Sequence, residues 1–296
     1  MNCMNVDSAK RTGKLRYVEG SPQLIHFYLP QEAGYLQIQM NLADSCETNA
    51  YGWRLDMMYA CDEALRPRFP ITSKGEYEAA IRITGRPDFM GMGAHGSERM
   101  TAFSILVDGK ETNLEALERL TDWEKIQICR NSDFFDPLDE VTRVATHRVV
   151  YDFDLSGVTL TQEVHWLREA DCGYSYMMMF PVRRDYEGMQ ITDTYSDDGD
   201  PGKYDVSQAG FTGYPDQWTP GAGEMTLSSK TSGITAVMKR LEAPALAGSG
   251  YRRCWNAPAY NKLYFTVCGG GDQVQTAAAG DCWHTKHRYE VTIAKV

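Results

Sequence analysis

The stretch with the clearest capacity for chemistry is Met90-Gly91-Met92-Gly93-Ala94-His95-Gly96-Ser97-Glu98-Arg99. Three glycines around one histidine let the backbone turn tightly and let a ligand approach closely. His95 is thereby displayed, and an imidazole titrates near neutrality, so it gives or takes a proton without a large pKa shift. Arg99, four residues on, is placed to hold an anion or a hydroxyl. The same residues also fit an ordinary glycine-rich turn before a strand at Thr101. A second pairing is Glu163 and His165, two residues apart on one strand face with Thr159 and Thr161. A carboxylate beside an imidazole fixes its tautomer and raises its basicity. That face is equally consistent with solvated sheet surface, and His147 in the preceding strand suits a core as well as a site.

Two further groups pair an aromatic platform with a polar partner. In Cys282-Trp283-His284-Thr285-Lys286-His287, Trp283 and His284 could flank a sugar, the ring stacking on pyranose C–H groups while the imidazole bonds a hydroxyl. Zinc is not expected there, because His284 and His287 point to opposite faces of an extended strand and no second Cys/His pair is adjacent in sequence. Asp216 and Trp218 offer the same pairing in a loop that also carries Tyr204 and Tyr214. The acidic run Asp193–Asp200 has the composition of a calcium loop, but its spacing departs from the EF-hand, with Tyr195 third and Asp198 where glycine is required. An acidic turn without metal is the expectation. No G-x-S-x-G elbow, Walker loop, Rossmann fingerprint or H-E-x-x-H occurs. No cofactor is expected.

These residues need a scaffold, and the dominant period is two. Val158, Leu160, Val164 and Trp166 alternate with Thr159, Thr161, Glu163 and His165, which predicts a half-buried strand. With the alternation from His147 to Leu155 and Ser156-Gly157 between, residues 147–166 read as an antiparallel hairpin. Further strands are predicted over 34–41, 78–84, 101–107, 174–182, 233–241, 262–268 and 287–294. One short helix is expected over 113–120, capped by Asn113. Two turn-rich segments, 193–223 and 243–258, read as long loops of functional interest. The fold class is all-β: a large antiparallel sandwich, supersandwich-like, with one or two short helices, spanning 1–296 as a single domain.

Composition narrows the partners. Among 296 residues, 43% are hydrophobic and 24% charged, and the formal net charge is −10. Without a Lys/Arg cluster, nucleic acid is not an expected partner. No run approaches a membrane span, and the N-terminus lacks the apolar core of a secretory signal. Eight scattered cysteines without a C-x-x-C pair read as reduced thiols. A cytoplasmic location is the expectation, with a removed leader as the other.

The Ala94-His95-Gly96 turn, the hairpin 147–166 and Tyr174–Pro181 together resemble the galactose-mutarotase-like β-supersandwich of aldose epimerases, polysaccharide lyases and glycosidase domains. The resemblance spans roughly residues 80–182. It implies a sugar held on a concave sheet face and worked on by histidine and carboxylate; His95 is the residue that carries over by position. The functional expectation is an enzyme acting on a sugar or uronate by acid–base chemistry, as an epimerase or an eliminating lyase. In that reading His95 and His165 transfer protons, Arg99 neutralises a carboxylate and Glu163 orients a histidine. Tyr204, Asp216, Trp218, Trp283 and His284 bind the small-molecule or oligosaccharide substrate. The alternatives are a non-catalytic carbohydrate-binding protein and a β-barrel small-molecule binder or cyclase, the latter from the many Met and Tyr residues.

Overall fold

The computed structural model describes residues 11–45, 50–73, 75–92, 95–211 and 213–296. Cys3, Cys46, Gly93 and Ala94 lie outside the described residues. The predicted hairpin forms from strands Arg143–Asp154 and Gly157–Trp166, in register from Asp154↔Gly157 to Ala145↔Trp166. Asp154 closes it, its carboxylate accepting the N–H groups of Ser156 and Gly157. The hairpin lies inside a 16-stranded sheet, flanked by Ile126–Phe135 and Cys282–Ile293. Pairing within the described strands is antiparallel except at Tyr51↔Arg99. A six-stranded sheet centred on Ser175–Arg183, Tyr260–Cys268 and Tyr251–Asn256 covers one face. Ile128, Tyr151 and Leu160 of the large sheet share one apolar cluster with Phe180, Leu263 and Phe265 of the smaller. The architecture is the all-β sandwich that the alternation implies.

Several sequence expectations change in the structure. The 113–120 helix shrinks to one 3₁₀ turn, Glu115–Leu117. Asn113 does accept the Ala116 N–H, but only Leu117 is buried and Leu120 is 51% exposed, so no apolar stripe holds a longer helix down. Neither long loop is structureless: the first contains Thr194–Asp197 and Asp200–Asp205, the second Tyr251–Asn256. The acidic run is a hairpin turn in which Asp197 accepts the N–H groups of Gly199 and Asp200. Strands Leu24–Gln31, Ala50–Cys61 and Ile126–Phe135 had no sequence counterpart. In the last, Arg130 and Ser132 occupy inward positions and interrupt the apolar alternation.

Those inward polar residues form a network between the sheets. Arg130 Nη2 donates to Glu98 Oε1 at 2.9 Å and Nη1 to the Trp53 carbonyl at 2.7 Å. His147 Nδ1 meets the same Glu98 oxygen at 2.8 Å, and its Nε2 lies 3.2 Å from Gln162 Oε1. The Gln162 amide then donates to the Met177 carbonyl of the covering sheet. Burial pushes the Glu98 carboxyl up, but Arg130 and His147 outweigh it and hold the group below its usual range. No helix among the described residues is long and apolar enough to cross a membrane. The six described cysteines are free thiols.

Removing one member of this network strands a buried charge. Arg130→Met should lower the unfolding free energy by about 3–5 kcal/mol, read from urea denaturation at constant m. The Glu98 contribution is present above the ordinary carboxylate pKa and is lost as pH falls through its depressed folded value. The wild-type protein should therefore lose stability on acidification more steeply than Glu98→Gln.

Candidate active site

The face of the smaller sheet turned away from the core carries the candidate site. Along Tyr260–Cys268, Leu263 and Phe265 point into the core cluster, so Lys262 and Tyr264 point outward. In the next strand Cys254 joins the core while Arg253 and Trp255 face out. Register aligns these side chains in rows: Met179↔Tyr264↔Arg253, then Lys262↔Trp255. They floor a cleft of about 260 Å³. Phe89, His95, Tyr176 and Trp218 form its walls. Tyr176 lies nearly parallel to Trp218, with centroids 5.7 Å apart and planes at 10°, and Phe89 stacks on its other side at 5.9 Å.

Local backbone chemistry explains how His95 reaches this cleft. Gly91 pairs with Ala80, and a Cβ on Gly91 would lie 2.3 Å from the Ala79 carbonyl oxygen, so a side chain there would push the strand apart. Gly96 has φ of 74°, a left-handed turn that suits glycine. The His95 ring lies against Phe89, with ring centroids 5.3 Å apart. His95 Nε2 is buried without a hydrogen-bond partner. Burial, aided by Lys262 and opposed by Glu76, lowers its pKa below the ordinary value, so the ring is a neutral imidazole at pH 7.

Trp218 depends on a buried anchor beneath the sheet. Asp197, with a fully buried side chain, accepts from Arg252 Nε at 2.9 Å, from the Tyr195 hydroxyl at 2.7 Å and from the Tyr214 hydroxyl. Arg252 Nη1 also donates to the Pro220 carbonyl at 2.6 Å, which pins the chain on both sides of Trp218. Two ion pairs border the cleft. Arg253 Nε donates to Asp216 Oδ1 at 2.6 Å, with its guanidinium 5.7 Å from the Trp218 centroid. Lys262 contacts Glu76 and lies 4.9 Å from the Tyr264 ring centroid. Burial drives the Tyr176 hydroxyl up to about 12 and raises Tyr264 as well, so both stay protonated donors.

Of the sequence candidates, His95 and Trp218 line this cleft, and Asp216 holds Arg253 at its edge. The others lie elsewhere. Arg99 sits over Phe135 at 4.6 Å and donates to the Glu140 carbonyl. Glu163 pairs with Arg148 at 3.4 Å, His165 Nε2 stands 3.6 Å from Cys282 Sγ, and His284 lies 3.4 Å from Glu242, all on the outer face of the large sheet. That array matches the solvated-surface reading, and no group of three or more potential ligands among the described residues is arranged to hold a metal. Trp283 is 2% exposed and packs on Trp166, so a ligand cannot stack on it. Tyr204 packs on Tyr214 and bonds Asp200. Sequence reasoning assigned no role to Lys262, Tyr264, Arg253 or Tyr176. The alternation of Lys262 and Tyr264 with Leu263 and Phe265 was the available signal.

Breaking the anchor tests how Trp218 is held. Asp197→Asn, which keeps the shape but loses the charge, should red-shift tryptophan emission and make it more accessible to acrylamide. It should also lower stability by about 3–5 kcal/mol, as expected when a buried pair loses one partner.

No protein-family model matches the chain, and no curated protein matches it in sequence. Solved structures do match in fold. Heparan sulfate lyase HepC from Pedobacter heparinus is 7% identical with a TM-score of 0.43, over 92% of this chain and 36% of the lyase. GH36 α-galactosidase AgaB from Geobacillus stearothermophilus is 8% identical with a TM-score of 0.49, over 95% of this chain and 41% of that enzyme. The GalM/aldose epimerase homologue from C. elegans is 8% identical with a TM-score of 0.39, over 95% of this chain and 100% of that protein. The chain thus spans well under half of the first two and the whole of the third. An aldose epimerase homologue and a polysaccharide lyase are among the structures this chain is similar to.

Proposed function

We propose that the chain is a carbohydrate-acting enzyme that uses acid–base chemistry on a sugar or uronate ring in this cleft, as an epimerase or an eliminating lyase. The observation that carries the reading is His95: a neutral imidazole with an unpartnered nitrogen, set in the wall of an aromatic cleft. A buried polar atom without a partner asks for an explanation, and a substrate hydroxyl or C–H proton supplies one. Trp218, Trp255 and Tyr264 offer faces and edges to the apolar side of a sugar ring. His95 accepts the proton, and Tyr264, Tyr176 or Lys262 is the donor.

One observation favours the non-catalytic carbohydrate-binding alternative: among the described residues no carboxylate lines the cleft, Asp216 and Glu76 being paired with Arg253 and Lys262. An epimerase or lyase at this site must then run with histidine as its base. The test begins with a panel of sugars and oligosaccharides, monitored for thermal stabilisation and for turnover. With a substrate in hand, His95→Ala should reduce kcat by about 10²–10⁴-fold while leaving binding largely intact. The acid limb of the rate profile should fall below the ordinary histidine pKa of about 6.5, because the base form persists until pH drops through the lowered value. Full turnover in His95→Ala would remove His95 from the mechanism, and binding without turnover across the panel would leave the binding protein as the correct description.

A further inference from the structure

Resting on the cleft as a sugar site, we infer that its ligand ring is uncharged and that the built-in pairs Lys262–Glu76 and Arg253–Asp216 select against a uronate. The cations that line the cleft are the obvious reason to expect an acidic sugar, yet each is already matched. Arg253 meets Asp216 at 2.6 Å, with side chains 29% and 17% exposed. Lys262 is 2% exposed and is in contact with Glu76 at 12%. His95, the remaining basic group in the lining, is neutral by virtue of its burial. Among the described residues, the lining therefore presents no uncompensated positive charge. Arg82 is close by, 5.5 Å from the Phe89 centroid, but it is solvent-exposed and not part of the lining.

A carboxylate entering such a site would give up its water in a cleft walled by aromatic rings and find each lining cation already neutralised by its own partner, so its desolvation is not repaid. A neutral sugar meets no such cost. Its hydroxyl oxygens accept from the Arg253 guanidinium and from the tyrosine hydroxyls, while a hydroxyl donates to His95 Nε2. The cleft volume of about 260 Å³ lies just below the usual small-molecule range of about 300–1,000 Å³, which suits one ring.

Matched ligands decide the matter: glucose, galactose and mannose, free and as oligosaccharide ends, against the corresponding uronates. Binding is read from quenching of Trp218 and Trp255 emission and from calorimetry. The neutral member of the best-binding pair should bind about tenfold or more tightly than its uronate, a modest free-energy difference. Asp216→Asn and, separately, Glu76→Gln should each free a cation and raise uronate affinity about tenfold, a gain that fades with added salt. Asp216 is at the cleft edge, so its variant keeps the test open where Glu76→Gln does not fold. A uronate that binds the wild type more tightly than its neutral counterpart overturns this inference alone, and so does a folded Asp216→Asn with unchanged uronate affinity. If no sugar of either series binds, the sugar reading of the cleft falls and this inference falls with it.

Discussion

A bulged strand in a sheet packed against another leaves backbone polar groups without ladder partners, and something must answer them. Ser175–Arg183 is that strand. Its register against Tyr260–Cys268 shifts twice, between Ser175 and Tyr176 and between Tyr176 and Met178, so Met177 has no opposite residue. The partners come from the large sheet. Gln162 donates to the Met177 carbonyl, and the Tyr289 hydroxyl lies 2.7 Å from the Met179 carbonyl while accepting the Met179 N–H at 3.2 Å. Leaving such groups unanswered would cost about 1–3 kcal/mol each. The two sheets are thus joined by a shared solution to one backbone problem as well as by apolar packing.

The cleft inherits its shape from that solution. The bulge lies between Tyr176, which walls the cleft, and Met179, which floors it, so moving the register would move both. Gln162 is itself held by His147, and His147 by Glu98 and Arg130, which also reaches the Trp53 carbonyl. A chain of hydrogen bonds therefore runs from the Ala50–Cys61 strand to the backbone under the aromatic wall. Buried ion pairs seldom add net stability over well-packed apolar residues of similar volume. Their value here is positional: each buried polar member meets its partners in one register only.

What the sequence made legible follows from this division. Wherever a strand has one wet and one dry face, period-two alternation shows it, and the hairpin 147–166 was found in that way. Where the dry face carries the polar network, the pattern breaks: Arg130 and Ser132 hid the strand Ile126–Phe135, and Gln162 passed unnoticed within a strand otherwise read correctly. The glycine frame of His95 was visible because tight turns need glycine. The rest of the cleft was not, because Lys262, Arg253, Tyr176 and Trp218 come together only through cross-strand register and a loop pinned by Asp197. Glu163, His165, Arg99 and His284 looked chemical in one dimension, yet the fold sends them to other surfaces.

A perturbed histidine does not mark a site by itself, and this chain contains its own control. His287 is wholly buried, neither ring nitrogen has a hydrogen-bond partner, and burial drives its pKa down to about 3. By those criteria it is more unusual than His95. It packs edge-on to Tyr289 within the sandwich, on the inward row of its strand with Trp283 and Thr285. His95 differs in what surrounds the unsatisfied nitrogen: an aromatic cleft, two ordered ion pairs and tyrosine hydroxyls held in their donor form. An orphaned polar atom in a closed core lowers stability, whereas one facing a space that a ligand can fill gains its hydrogen bond on binding, and the ligand's affinity includes that gain. The open volume next to the imidazole, more than the shift in its pKa, is the reason to place chemistry at His95.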